Sequence, residues 1–434
     1  MGKFNFRAPS LPGHRSRQLL LYRRTCHLDF SSQSRRVLSR DRRSFAQAMQ
    51  MIGDMVRPGA PERIAVQEAI NRFTAEPVLA ARDWPPFDMS AMDGYAIGEE
   101  TLGEADQGML WIGAPQYAGA PAQQLAPGEA RPIATGAAVP ANASAILVRE
   151  RATIVRHHLQ RPEALVAGAN IRRQGEDARA GDKLLEPGRC ISPALIGALC
   201  AYGVVSMQVC RRPRVAILAL GDELKSVGNT LDTSIVDSNG PMISALLGNA
   251  GCDVTLLGSI RDEEFAIASA FEQLLRSQFE FIVTTGGASV GDRDLLRPAV
   301  ERVGGDVQFH GVHMRPGKPV LFATHPDGAT FFGLPGNPVA ALVGARFFVM
   351  RAIRARLGLD AERPTRTFDE IPEAGPTRIL KAMTREGSTD DCVEILPAQQ
   401  SHMLRPLLSA NAWVIRGGEE PSTLFPLFDT LNEH

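Results

Sequence analysis

The spacing of apolar residues changes several times along the chain, and each change predicts a different kind of element. Helical spacing begins after Ser44, where Phe45, Ala48, Met49, Ile52, Met55 and Val56 share one face; Ser44 is an N-cap candidate and Pro58 ends the run. From about 63 to 175, short apolar runs such as 133–140 and 145–148 alternate with Gly and Pro, which predicts an inserted β-rich domain. Residues 176–208 return to helical spacing around Ile196, Leu199 and Val204. Their character matches that of 44–62, so the two segments are predicted to form one N-terminal helical domain interrupted by the insert.

Beyond 208 the pattern becomes one of short apolar runs, 214–220, 252–257, 279–285 and 330–334, spaced by helical segments. That alternation is the signature of βαβ units, so residues 209–360 are predicted to form a doubly wound α/β domain on a parallel sheet. Residues 361–434 alternate short strands with turn residues, as at 391–396 and 412–416, and predict a small β-barrel or sandwich. The expected fold class is therefore α/β and multidomain.

Composition narrows the class without changing that picture. The chain has 434 residues, 44% hydrophobic and 22% charged, the make-up of an ordinary globular protein. Cysteines at 26, 190, 200, 210, 252 and 392 form no C-x-x-C pair, so neither a zinc ribbon nor a redox motif passes through them. Scattered thiols of this kind point to a reducing, cytoplasmic setting. The longest apolar stretch, 196–205, falls short of the roughly 20 residues of a membrane span. The formal charge of −1 hides an asymmetry, because residues 1–43 hold 11 of the 47 basic groups and only Asp29 and Asp41 of the 48 acidic ones. A nucleic-acid-binding arm or a transit peptide would each use such a run, but the composition fits a solvated tail or a start placed too far upstream at least as well.

Candidate chemistry lies in the loops. In an open α/β sheet, ligands bind beyond the carboxyl ends of the strands. Three predicted strands end there in unusual sequences: 214–220 runs into Gly221-Asp222-Glu223, 279–285 into the loop from Gly286 and Gly287 through Ser289 and Gly291 to Asp294, and 330–334 into Pro335-Gly336-Asn337-Pro338. Glycines let backbone amides approach an anion, so three such loops on one rim predict a phosphate or oxyanion pocket. Acids crowd the same loops and helix starts, among them Asp88, Asp93, Glu176, Asp177, Asp222, Glu223, Asp262, Glu263, Asp292 and Asp294. Such acids often only cap helices, yet hard oxygen ligands also suit Mg²⁺, and an ion bridging them to a phosphoanhydride would let acid and phosphate share a cleft. The opposite charge stands on Met314-Arg315-Pro316-Gly317-Lys318-Pro319, a proline-stiffened loop whose two cations suit a small dianion.

Three familiar motifs compete with this reading. Gly317-Lys318 is not a Walker loop, because Gly311 precedes it by one residue too many and Pro319 occupies the hydroxyl position. Gly287-Ala288-Ser289-Val290-Gly291 matches the G-x-S-x-G nucleophile elbow of hydrolases, but the acids directly after it would oppose an oxyanion there. His310 and His313 form H-x-x-H, which is more often two ordinary histidines than half of a metal site.

Taken in order, Pro86 to Ala96, Thr135-Gly136-Ala137, Gly175-Glu176-Asp177, Gly221-Asp222-Glu223-Leu224, the Gly286–Asp294 loop, Pro316-Gly317-Lys318-Pro319 and Leu334-Pro335-Gly336-Asn337-Pro338 resemble the molybdopterin molybdenumtransferase family, which includes the E domain of gephyrin. The match runs from about residue 44 to 416; residues 1–43 resemble nothing in the family. The resemblance implies an elongated homodimer with a helical N-terminal domain, an inserted β domain, a molybdopterin-binding α/β domain and a C-terminal β-barrel. It implies conversion of adenylated molybdopterin and molybdate to molybdenum cofactor and AMP with Mg²⁺, and partners in molybdopterin adenylyltransferase and recipient molybdoenzymes. Nucleic acid and membrane are not expected partners. By resemblance the catalytic acids are Asp93, Asp177, Glu223 and Asp294, and the metal ligands Asp294, Glu223, Asp262 and Glu263. The cofactor-side residues are Gly221, Asp222, Asp237, Ser238, Asn239, Gly286, Gly287, Ser289, Gly291, Pro335, Gly336 and Asn337, and the molybdate side is Arg315, Lys318, Arg378 and Ser401. The chain departs from the family pattern at Leu220, where Thr is usual, Ala340 for Ser, Arg315 for Lys, Met89 for Asn and Ser144 for an acid. Loss of hydroxyls at 220 and 340 leaves open a paralogue that carries molybdopterin or finished cofactor and turns over little.

Overall fold

Ser44 caps a helix over Phe45–Met55 in a computed structural model of the chain, with its hydroxyl accepting from the Gln47 N–H and the Gln47 side chain returning to the Ser44 amide. The structure describes residues 43–102, 108–160, 165–221, 224–225, 235–287, 294–368, 375–385, 392–418, 420–429 and 431. Arg43, assigned by composition to the basic tail, is part of the fold: its carbonyl accepts from the His313 N–H at 2.9 Å.

The helix at 45–55 does not pack with 176–208 as the matching periodicity suggests. Ala48, Ile52 and Val56 enter the core of the α/β domain, and Phe45 lies edge-on to Phe347 at 5.6 Å and against Phe348 at 5.5 Å. The reason is complementarity of faces, since the helical run around 338–356 is buried almost all round and takes any apolar stripe offered to it. The 176–208 segment also holds less helix than its spacing predicts, namely Pro193–Ala201, capped by Ser192 with Pro193 in its first turn. Its flanks are extended. Pro61–Ala65 pairs antiparallel with Ser206–Cys210, Val78–Leu79 with Lys183–Leu185, and Met89–Ser90 with Ile171–Arg172, so three nested ladders close the base of the insert.

The insert itself is a six-stranded sheet in the order 143–148, 94–98, 129–133, 109–112, 158–160, 154–155. The apolar run at 133–140 is only partly a strand. The strand is Glu129–Ile133 and ends where that run begins, after which the chain turns at Gly136, where φ is +80°. Ala96, Ile133 and Ile146 face one side of the sheet, Tyr95, Ile97 and Leu147 the other.

The α/β domain carries a six-stranded sheet ordered Asp253–Ile260, Arg214–Leu220, Phe281–Thr285, Thr330–Leu334, Leu321–Thr324, Asp306–His310. The first four strands are parallel, and the last two add an antiparallel edge that the sequence pattern does not predict. Along 214–220 successive residues alternate between two cores. Val215 and Ile217 meet the 45–55, 239–249 and 338–356 helices, whereas Ala216, Leu218 and Leu220 meet the helices Glu264–Arg276 and Leu296–Arg302. From 214–220 the chain moves outward to 253–260 and then crosses to 281–285 on the other side, which makes the crevice between 214–220 and 281–285 a topological switch point.

The C-terminal domain is a sheet ordered 314–315, 377–385, 412–416, 423–426, 366–367, with 392–395 on 377–385. Its edge strand Met314–Arg315 comes from the α/β domain. Arg346, 1% exposed, ties the domains further by donating to the carbonyls of Pro426 and Leu427 and holding Glu362 with both terminal nitrogens at 2.6 Å. An ion pair so buried is retained because every donor is met.

Candidate functional site

Register puts the ends of four parallel strands side by side, with Leu220 opposite Ile260, Ala219 opposite Thr285, and Thr285 opposite Leu334. The loops leaving these strands, beginning at Gly221, Asp262, Gly286 and Pro335, therefore share one rim. Backbone conformation there demands glycine. Gly286 has φ +84°, and a Cβ on it would stand 2.4 Å from the Leu220 carbonyl oxygen; Gly287 has φ +66°, and its Cβ would meet Leu220 Cδ1 at 2.7 Å. The leucine that replaces the family's threonine thus fills the floor beneath the turn. The Gly286 N–H donates to the Leu334 carbonyl at 3.0 Å, tying the 286 turn to the end of the strand that enters the 335 loop.

The helix Asn239–Asn249 starts at the same rim. Asp237 accepts from the Gly240 N–H at 2.9 Å, and the buried Asn239 donates through Nδ2 to the Gly336 carbonyl at 2.8 Å. Asn239 Oδ1 and Thr285 Oγ1 are buried without a hydrogen-bond partner among the described residues. Unmet polar atoms of this kind are expensive in a finished core and are expected where a ligand completes them. Thr285 gives no functional signal in the sequence, because a threonine in an apolar run reads as a β-branched strand residue. Ser238 precedes the helix and makes no side-chain cap. Asp222, Glu223, Ser289 and Gly291 lie outside the described residues.

Asp294 lies two residues before the helix Leu296–Arg302. One carboxylate oxygen accepts from the Arg297 N–H at 3.2 Å and the other faces His310 Nδ1 at 3.1 Å, with His310 almost wholly buried. His310 therefore serves this acid, and no partnership of it with His313 in a metal site is seen among the described residues. Asp262 and Glu263 are exposed at the end of the neighbouring strand. Among the described residues no three His, Cys, Asp or Glu side chains stand close enough to cage a metal. Mg²⁺ usually takes only one or two protein carboxylates beside substrate phosphates and water, so the donor set fits an ion brought largely by the substrate.

Asp93 and Asp177 stand elsewhere, on the insert and its base. The Thr135 amide and hydroxyl donate to Asp93 at 2.7 and 2.9 Å, and Tyr202 donates to Asp177 at 2.8 Å. The Thr135 amide first, then its hydroxyl, hold Asp93 below the usual carboxylate range. Among the described residues no hydrogen bond joins either acid to the rim.

The anion-side candidates do converge. Arg315, Lys318, Arg378 and Ser401 line one cavity of about 410 Å³ together with Pro335, Asn337, Ala340 and Gln399. Its construction is a matter of strand register: Met314–Arg315 lies parallel to the C-terminal sheet, Met314 opposite Thr377 and Arg315 opposite Arg378, which puts both arginines on neighbouring strands at one wall of the cavity. The Val339 N–H donates to the Ser401 carbonyl at 3.0 Å and docks the Ser401 loop on the helix after Asn337. Among the described residues no carboxylate lines the cavity, and none of the three cations is paired with one. Like charges this close persist where an anion joins them. Pro335 and Asn337 belong to both rim and cavity, so the two sites share a wall. Gln399 on the cavity wall, and Lys381 behind the loop that carries it, give no functional signal in the sequence, because a lysine in a strand reads as a solvated position.

Comparison with known proteins gives the family and the fold. Residues 43–203 match the family model described as MoeA N-terminal region (domain I and II), and residues 216–355 match the probable molybdopterin binding domain. A molybdopterin molybdenumtransferase of Haemophilus influenzae is 36% identical over 302 residues, spanning 68% of this chain and 72% of that protein. One from Bacillus subtilis is 32% identical over 388 residues, 86% of this chain and 89% of that protein. In fold, the chain superposes on the crystal structure of a molybdopterin biosynthesis moeA protein from Pyrococcus horikosii with a TM-score of 0.73 and 24% identity, covering 89% of this chain and all of that one.

Proposed function

The chain belongs to the molybdopterin molybdenumtransferase family, and from that premise we propose that it inserts molybdate into adenylated molybdopterin and releases AMP. The observation that carries this reading is the acid-free cavity in which Arg315, Lys318 and Arg378 converge with Ser401, sharing Pro335 and Asn337 with the rim of the α/β sheet. A tetrahedral dianion fits three cations and a hydroxyl, and the glycine turns at 286 and 287 allow a phosphate to approach the backbone. Asn239 Oδ1 can accept from an N–H of the pterin, and the Thr285 hydroxyl can donate to its phosphate.

Asp294, or Asp262 and Glu263 at the end of the strand 253–260, would hold Mg²⁺ through one or two carboxylates, and the ion when bound neutralises charge on the phosphoanhydride. His310 keeps the Asp294 carboxylate turned to the rim, and the shared Pro335–Asn337 wall orients anion and pterin toward one another. Arg315 retains charge where the family has lysine, and Ala340 leaves the cavity wall without one hydroxyl, so a cavity still rich in cations favours an active enzyme over a carrier.

The same reading carries a homodimer in the cytoplasm that takes its substrate from molybdopterin adenylyltransferase and passes its product to molybdoenzymes. What supports the dimer is that Asp93 and Asp177 do not reach the rim by any described bond within one chain. Among the described residues no helix is long and apolar enough to cross a membrane. The test is AMP release from adenylated molybdopterin on addition of molybdate and Mg²⁺. Release that needs both supports the proposal, and binding of the pterin without release would leave a carrier.

A further inference from the structure

Lys381 is a lysine with no exposed surface, in the middle of the strand Thr377–Arg385. Its ammonium donates to the carbonyls of Ala398, Met403 and Gln400 at 2.9, 3.2 and 3.4 Å, so all three N–H bonds are used, and among the described residues no carboxylate neutralises the charge. The same residue is clamped through its backbone. Gln399 accepts from the Lys381 amide and donates to its carbonyl, both at 2.9 Å, and donates to the Leu396 carbonyl at 2.6 Å, while the Leu396 N–H returns to Lys381 at 3.0 Å. Residues 396–403 are thus wound about a single side chain, with Ala398 held at φ +59°.

That loop is the wall of the anion cavity that carries Gln399 and Ser401, and Arg378 and Leu380 of the lysine's own strand form the adjoining wall. A buried cation is costly unless fully hydrogen-bonded, and the three carbonyls that meet this one all belong to the loop that carries Gln399 and Ser401. The geometry points to Lys381 as the positioning residue of the molybdate site: it gathers the 396–403 carbonyls away from the cavity, turns Ser401 inward, and adds a fourth, unneutralised positive charge behind the three that line it. Burial holds its pKa below the usual lysine value. The inference rests on the reading that this cavity takes molybdate.

The test begins with calorimetric titration of molybdate into the wild-type protein and into Lys381→Met, which keeps the length and loses the charge. With a cooperative melt retained, Lys381→Met loses about tenfold or more in molybdate affinity, while adenylated molybdopterin binds within about twofold of wild type. In a Ser401→Ala background the same change costs less than about threefold, since the two residues act through one contact. Undiminished molybdate binding in Lys381→Met overturns the role of Lys381 alone, and a wild-type protein that binds no molybdate overturns the assignment of the cavity. Hydrogen exchange on the wild-type chain covers the case in which Lys381→Met fails to fold. Amides of 398–403 should exchange slowly before molybdate is added; a loop that becomes protected only with molybdate is ordered by its ligand, and the inference is then wrong.

Discussion

Arg315, Lys318 and Arg378 are three cations with no carboxylate between them, and the behaviour of each derives from that. Lys318→Ala removes one charge-assisted contact to a dianion, worth roughly 1.5 to 3 kcal/mol, so KM for molybdate should rise about tenfold to a hundredfold. The KM for adenylated molybdopterin should stay near that of wild type, because that substrate is held chiefly at the glycine rim. Equal rises in both would show that rim and cavity are one site. Cysteines are the contrary case at this scale. Burial pushes the thiols of Cys190, Cys210 and Cys252 up, which lowers their thiolate fraction.

At the scale of elements, the turn after Phe281–Thr285 and the seam beneath the insert each support one prediction. Gly286→Ala sets a Cβ against the Leu220 backbone in a left-handed conformation, a clash with rigid atoms that no rotamer relieves. The turn must move, and AMP release should fall by at least about tenfold, with a loss of roughly 1 to 3 kcal/mol in stability by denaturant unfolding. In the seam, the Ala180 amide and then Gln174 hold Asp83 below the usual carboxylate range. Burial pushes Asp88 the other way, but the Gln174 amide and Arg173 outweigh it, and Asp93 is lowered by Thr135. Three depressed carboxylates contribute stability that is complete above the ordinary value of about 4 and is lost as pH falls through their folded values. Melting temperature should therefore hold between pH 7 and 5 and drop steeply below about pH 4, and Asp83→Asn should flatten that drop. An unchanged acid slope in the variant would remove the seam from the acid response.

For the whole molecule the question is where Asp93 and Asp177 act. If an insert completes the rim of a second copy, Asp93→Ala and Asp294→Asn protomers are each inactive alone yet complement one another when mixed. A two-fold dimer with shared sites leaves one intact site in each hybrid, so re-equilibrated mixtures should recover up to about a quarter of wild-type AMP release. Recovery near zero, with hybrids present by mass spectrometry, would place both acids in the site of their own chain or outside the chemistry.

Much of this protein is legible in its sequence, for a physical reason. Caps, turns and strand runs are decided by neighbours a few residues apart. Ser44 with Gln47, the apolar runs 214–220 and 330–334, and the glycines at 286 and 287 can all be read before any fold is known. Periodicity reports that a face is buried but not what covers it, so the partner of the 45–55 helix and the antiparallel edge of the α/β sheet were decided by tertiary packing. The site divides in the same way. The cation loop and its proline stiffening are local chemistry, whereas the pairing of Arg315 with Arg378, the contact of His310 with Asp294 and the burial of Lys381 join segments far apart in the chain. Only the closed three-dimensional chain sets those distances, because the free energy that fixes them belongs to contacts between segments and not to any one segment alone.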